Sequence, residues 1–348
     1  MANTNLWDLV KELKGPGYRW VDLTHELSPE TPHWFGFKPL ESELLFDYTE
    51  GTPEDQLAPM RCFQISVASQ YGTHVDVPRH FFGDGRPMNE IGVKELIYPL
   101  VVIDKSKECA ENPDFLLTAE DIQAWEKEHG TIPENAFVAF RSDWHKKPNL
   151  DNPDENGVPH YPGWDKAAIQ WLVEERNIGA IGHEPADTDP GFVTTKEGAY
   201  PYPGEQYILE VDRIQIEVMR NLDQLPPTGA LIVVAFPRLK DGVGFPARAF
   251  AIAPEECTSI RTFSFTTEPQ TIRQAGHESH SRVRLFLMSE VRDSSAAGQP
   301  CGPIPALSGK VFPATVSGAT VWMAERRRGG LMALQVSMVH SRRNTSCL

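Results

Sequence analysis

Hydrophobic and polar positions along the first 254 residues follow two rhythms. Runs that alternate with a period of two, or short unbroken apolar runs bounded by turn residues, predict strands in YRWVDLTHEL, CFQISVAS, YPLVVID, AFVAFRSD, IGAIGHE and ALIVVAFP. Between them the period lengthens to that of a helix. Residues 118–129 form one, with Thr118 at the N-cap and Asp121 completing an acidic capping pattern. Residues 164–176 form another, with Ile169, Leu172 and Val173 on one face and Asn177-Ile178-Gly179 as the stop. Near the start, Leu6, Leu9, Val10 and Leu13 recur at helical spacing behind a cap at Asn3 or Asn5. Strands mixed with helices in this way predict an α/β or α+β domain, and no internal repeat is visible.

Beyond residue 254 both rhythms fade and Ser, Gly and Pro become dense. The charge changes there too. The 348 residues hold 33 Lys or Arg against 48 Asp or Glu, a net charge of −15. Residues 255–348 contribute +4 of this, from ten Arg and one Lys against seven acids, which leaves −19 on residues 1–254. The expectation is one domain over 1–254 and an atypical Arg/Ser-rich extension over 255–348. That extension reads as poorly packed outside two apolar patches at 284–288 and 319–323. The loss of Lys in favour of Arg and Ser also fits translated non-coding sequence.

Composition excludes several classes. No apolar run approaches the ~18 residues of a membrane-spanning helix, and the acidic start does not read as a secretory signal, so the expected location is the cytosol. The acidic balance argues against nucleic acid, whose phosphates demand a basic face. Cys62, Cys109, Cys257, Cys301 and Cys347 form no CxxC pair, which predicts free thiols rather than a disulfide framework or a thiolate zinc site.

The chemistry concentrates in SQYGTHVDVPRH, residues 69–80, directly after a predicted strand. On extended chain, residues i and i+2 share a face, so His74 and Asp76 project together while Val75 and Val77 turn to the core. Gly72 lets the backbone bend, and Pro78 stops ladder pairing. Nitrogen and carboxylate side by side suit zinc or manganese, although the spacing alone also fits a solvated polar turn. A second polar stretch, Gly182 to Gly191, follows another apolar run. It reads either as a turn with Asp187 capping backbone amides, or as a loop that brings His183, Glu184 or Asp187 near a metal.

GTHVDVPRH resembles the HxGTHxDxPxH signature of the cyclase family of metal-dependent hydrolases, the family of bacterial kynurenine formamidase and isatin hydrolase. Three further stretches agree in order: DLTHELSPETP from Asp22, Glu217 followed by NLDQL from Asn221, and GFPARA from Gly244. The resemblance spans residues 22–253. It implies a swivelling β/β/α domain, an α/β fold with a mixed sheet and a barrel-like core, assembled as a homodimer or homotetramer. It makes His74 and Asp76 metal ligands and His80 the histidine that moves protons. The family's first ligand histidine falls on Gln70. Its later histidine, twelve residues before Glu217, falls on Glu205, with Gln206 as the adjacent alternative. Oxygen donors in place of two imidazoles tilt the expected cofactor from a two-zinc arrangement to a single Mn²⁺ or Zn²⁺.

The implied reaction is attack of metal-activated hydroxide on an amide, lactam or cyclic imide of aryl formamide or isatin type. His80, or Glu217 in its place, protonates the departing nitrogen. Trp34 and Phe35 fall where the family loop covers the substrate, though aromatic residues there also suit core packing. Metal-dependent cyclisation or dehydration in a secondary-metabolite pathway, and small-molecule binding without turnover, are the rival readings. Arg248 is expected to be structural, pairing with a buried acid, and His25 to hydrogen-bond within the opening strand.

Overall fold

Period-two runs in the acidic part of the chain become strands, and the capping signals become helix ends. The computed structural model describes residues 5–47 and 60–255, and the backbone of three strands between residues 311 and 339. The chain divides into two units, Met1–Ser264 and Phe265–Leu348. The first unit begins with α1 (Leu6–Leu13), β1 (Tyr18–Asp22), β2 (Glu41–Phe46), β3 (Cys62–Ser66), β4 (His74–Asp76) and β5 (Ile97–Asp104). It continues with α2 (Ser106–Glu111), β6 (Leu116–Leu117), α3 (Ala119–His129), β7 (Phe137–Arg141), β8 (Gly163–Trp164) and α4 (Lys166–Arg176). Then come β9 (Ala180–His183), α5 (Gly191–Thr194), α6 (Pro203–Glu210), β10 (Ile214–Glu217), β11 (Ala230–Ala235), β12 (Gly244–Pro246) and β13 (Arg248–Pro254).

Nine strands form one mixed sheet in the order β1-β13-β11-β5-β7-β9-β10-β4-β12, which curls into a half-barrel. The central strands β5, β7, β9 and β10 run parallel, and both flanks are antiparallel. Parallel strands buried on both faces need near-continuous apolar runs. In β5, Leu100 and Val102 join one core inside the curl. Val101 and Ile103 join a second core beneath α3, α4 and α6, with Ile122, Ile169, Leu172 and Ile208. Thr118 and Asp121 make the expected reciprocal cap on α3, and Asn177 ends α4 in the left-handed conformation.

Three expectations change. The opening strand stops at Asp22, because Asp22 Oδ1 accepts the Thr24 N–H at 3.2 Å and the chain turns out of the ladder. The strand expected over CFQISVAS ends at Ser66 and pairs only with β2, and Leu44, Phe46, Phe63 and Ile65 all stay exposed on this ribbon. Arg248 does pair with an acid, Asp22 at 2.6 Å, but the pair lies at the surface. Residue Asn5 caps α1, whose apolar stripe stays exposed.

In the second unit, β14 (Val311–Val316), β15 (Ala319–Arg326) and β16 (Ala333–Val339) form a three-stranded antiparallel sheet. The patch at 319–323 lies in β15, whereas 284–288 lies outside the described residues. Cys62 and Cys109 are free thiols, and the other three cysteines lie outside the described residues. Among the described residues no helix is long and apolar enough to cross a membrane.

Candidate metal centre

Register builds the centre. Antiparallel β4 and β10 pair Glu217 opposite His74 and Gln215 opposite Asp76. Side chains alternate along each strand, so Val75 and Ile216 enter the inner core while these four groups share the other face. All four are buried. Gly72, at φ 65°, makes the turn into β4, and its carbonyl lies 2.8 Å from His74 Nδ1. A carbonyl only accepts, so Nδ1 carries the proton. That leaves His74 Nε2 facing Asp76 Oδ2 at 3.3 Å and Glu217 Oε2 at 3.4 Å.

Helix α6 delivers Glu205 to the same place. Asp189, from the loop after β9, accepts the backbone N–H of Gly204 at 2.8 Å and of Glu205 at 3.1 Å, capping the first turn of α6. Gln215 Nε2 lies 3.2 Å from Asp76 Oδ2, 3.0 Å from Glu205 Oε1 and 3.0 Å from Glu217 Oε1. Buried His183 accepts the Trp164 indole N–H on Nδ1 at 3.3 Å, which leaves Nε2–H to donate to Glu217 Oε1 at 3.2 Å. His80, at the end of a short 3₁₀ turn, places Nε2 3.9 Å from both Asp76 Oδ1 and Glu205 Oε1. Two overlapping donor groups result, His74–Asp76–Glu217 and Asp76–His80–Glu205.

The electrostatics of this cluster call for a cation. Burial raises Glu205 well above the usual carboxylate range, and the charges of Glu217 and Asp76 add to the rise. Burial and the Glu217 charge lift Asp187 to about 7, and burial lifts Asp189 to about 6. Burial also disfavours charge on His74 and Asp76, but their mutual attraction prevails. His74 stands well above its usual value, and Asp76 falls to about 2. An imidazole lone pair aimed at two carboxylates is stable only with a positive charge between them. A proton or a divalent ion meets that need, and the N/O donor set suits zinc or manganese.

A cavity of about 220 Å³ opens onto the cluster, with His74, His80, Glu205, Glu217, Asp187 and Gln70 on its polar side. Trp34, Phe37, Phe81 and Tyr202 form aromatic walls. A neighbouring cavity of about 350 Å³ shares Trp34, Asp187 and Tyr202 with it and is lined also by Phe35 and Tyr161. A larger groove of about 650 Å³ lies between β5, β11 and α3, away from both donor groups. Chemistry therefore points to the smaller cavity.

The family model described as "Putative cyclase" matches residues 21–190. Isatin hydrolase of Roseibium aggregatum is 34% identical over 254 residues, covering 68% of this chain and 92% of that protein. The chain belongs to the cyclase family. The solved structure of isatin hydrolase A from Labrenzia aggregata, bound to benzyl benzoate, matches with a TM-score of 0.65 at 37% identity, covering 72% of this chain and 100% of that one. Kynurenine formamidase of Bacillus cereus is 24% identical over 171 residues, covering 49% of this chain and 70% of that protein. This cyclase-family member is a metal-dependent hydrolase of carbon–nitrogen bonds other than peptide bonds.

Within the cyclase-family site, the structure brings His74, Asp76, His80, Glu205 and Glu217 together. Glu217, expected as a proton donor, stands with His74 and Asp76 in a metal-capable group. Gln70 reaches the cavity, but its carbonyl accepts from the Ser69 hydroxyl, and its Nε2 faces Asp76 Oδ1 at 3.3 Å. His183 lies beneath Glu217, outside the cavity lining. Gln206 is half-buried on α6 and lines neither cavity. Trp34 lines both cavities and Phe35 only the neighbouring one. Glu184 turns away, holding the N–H groups of Ser142 and Trp144 and the His145 ring. The amide cap falls to Asp189 rather than Asp187, which instead accepts the Tyr161 hydroxyl at 2.6 Å. His25 has its N–H on the Thr73 hydroxyl, and burial together with Arg220 and His145 lowers its ring to about 4.

Sequence reasoning missed Gln215, Thr188 and Tyr202. The i, i+2 rule that grouped His74 with Asp76 would have grouped Gln215 with Glu217. Nothing local marks Thr188 or Tyr202.

Proposed function

We propose that His74, Asp76 and Glu217 hold one divalent cation, Mn²⁺ or Zn²⁺, with Glu205 completing an oxygen-rich set, and that the cavity hydrolyses a flat aromatic amide, lactam or imide. The observation that carries this reading is His74 Nε2, aimed between Asp76 and Glu217 with Nδ1–H already committed to Gly72. Bound there, a cation supplies a Lewis acid and lowers the pKa of a coordinated water from ~15.7 toward ~7.

The chain's own groups do the rest. His80, partly exposed at the cavity edge, takes a proton from the attacking water and returns it to the leaving nitrogen. Asp187 lies in the same wall, where it accepts the Tyr161 hydroxyl at 2.6 Å and faces the substrate space beside His80. Trp34, Phe37, Phe81 and Tyr202 present ring surfaces that stack a planar substrate and exclude water. Gln70 steadies Asp76 through its amide N–H.

Between isatin-type cyclic amides and aryl formamides, the 34% identity to isatin hydrolase favours the cyclic substrate. Turnover of isatin and of an N-formyl aryl amine by the metal-loaded protein tests the choice. Incorporation of ¹⁸O from solvent into the product marks hydrolysis, and hydrolysis of neither compound overturns the substrate class. The same reading carries a homodimer or homotetramer acting in the cytosol, to be checked by sedimentation and cell fractionation.

A further inference from the structure

Thr188 and Gln215 are both fully buried, and the proposed hydrolysis uses neither directly. The Thr188 hydroxyl lies 2.7 Å from Gln215 Oε1 and 3.2 Å from Glu217 Oε1. At the other end of the same amide, Nε2 lies 3.0 to 3.2 Å from carboxylate oxygens of Asp76, Glu205 and Glu217. A primary amide is nearly symmetric in shape, so packing does not choose which end is oxygen. Charge chooses it. Asp76, ionised beside His74, only accepts, so the end facing it is N–H, and the oxygen must look to Thr188 for a donor.

We propose that Thr188 and Gln215 form a hydroxyl–amide pair that presets the carboxylates of the cation site, Thr188 being a positioning residue that acts through the Gln215 amide. This rests on the reading of the cavity as a cation site. The backbone makes Thr188 a firm anchor, since its carbonyl accepts the Trp164 N–H at 2.8 Å. The residues on either side anchor other parts of the site, Asp187 on Tyr161 and Asp189 on the first amides of α6. Carboxylates crowded in a buried site repel one another. Two amide hydrogens turned toward them hold the oxygens in position before the cation arrives, as outer partners of ligand carboxylates do. Without the hydroxyl, the Gln215 oxygen is buried with no donor, the amide is free to rotate, and the ligand set loosens.

The test compares Thr188→Val, which keeps the shape and removes the hydroxyl, with Thr188→Ser, which keeps the hydroxyl. Protein stripped by chelation is titrated with Mn²⁺ and with Zn²⁺ by calorimetry, and its thermal midpoint is recorded in parallel. Thr188→Val is expected to weaken cation binding by about tenfold to a hundredfold, with Thr188→Ser close to the parent. Gln215→Leu is expected to weaken binding similarly, and adding Thr188→Val to it should cost little more. Parent-like affinity in Thr188→Val overturns the pair, as do fully additive effects in the double variant. Should Thr188→Val not fold, Thr188→Ala in the same cycle decides between these outcomes. A parent protein that takes up neither ion overturns the cation reading itself, and the pair with it.

Discussion

His74 is the residue whose surroundings leave least freedom. With Nδ1–H on Gly72 and Nε2 between two carboxylates, it accepts a proton or a metal and nothing else. His74→Ala with Asp76→Ala is therefore expected to abolish cation uptake, measured as metal content by plasma mass spectrometry on untagged protein. His80 is more exposed and lies farther from its acid partners, at 3.9 Å. His80→Ala is expected to lower kcat by about 10²- to 10⁴-fold, the usual worth of a general acid–base, with metal content unchanged. Loss of metal in that variant would make His80 a ligand. Gly244 acts by absence: a Cβ there would stand 2.3 Å from Gln70 Nε2 and 2.9 Å from Asp76 Oδ1. Gly244→Ala is expected to displace Gln70 and weaken cation binding, read in the same titration.

At the scale of elements, one loop and one helix meet through a single carboxylate. Asp189 caps α6 from the loop after β9, so the side chain that starts the helix also positions Glu205. Asp189→Ala is expected to cost about 1 kcal/mol of stability, as other cap losses do, and to weaken cation binding as well. Denaturant unfolding of stripped and loaded protein separates the two effects, since the difference between parent and variant should widen in the loaded state. The β4–β10 pairing is equally decisive. Slipping its register by one residue would exchange Val75 and Ile216 for the ligand pairs and place the polar groups in the inner core.

For the whole molecule, crowded acids make stability depend on pH. In the cation-free protein Asp187 sits at about 7 and Asp189 at about 6, against an ordinary 3.8. A folded-state pKa above the unfolded one means that the native state binds its proton more tightly. Stability therefore falls as pH rises from about 4 to about 7. Glu205 adds in the same direction. The His74 contribution is complete below 6.5 and is lost as pH climbs through its raised folded value. Asp76, lowered to about 2, opposes these only as pH falls below 3.8. Stripped protein should melt higher at pH 5 than at pH 8, and added Mn²⁺ or Zn²⁺ should raise the midpoint more at pH 8. Scanning calorimetry at the two values reads the sign. Since isatin hydrolase of Roseibium aggregatum aligns with 68% of this chain and the solved isatin hydrolase A with 72%, we propose that residues 1–254 carry the activity. A chain ending after residue 264 should keep cation binding and turnover.

The sequence alone determined what depends on local spacing. Alternation about Val75 placed His74 with Asp76, Thr118 and Asp121 announced α3, and apolar runs marked the parallel strands. Ordered motifs from Asp22 to Ala249 pointed to the cyclase family. Tertiary structure decided the contacts that join distant segments. Glu217 stands opposite His74 because β10 and β4 pair, although 142 residues separate them. Glu205 enters because Asp189 caps a helix from another loop. Gln215 gained its place by facing Asp76 across a strand pair, and Thr188 by reaching the far end of that amide. Spacing along the chain records which face a side chain takes, because backbone geometry fixes it locally. It carries no record of which strand comes to lie beside which, because long-range packing sets that order.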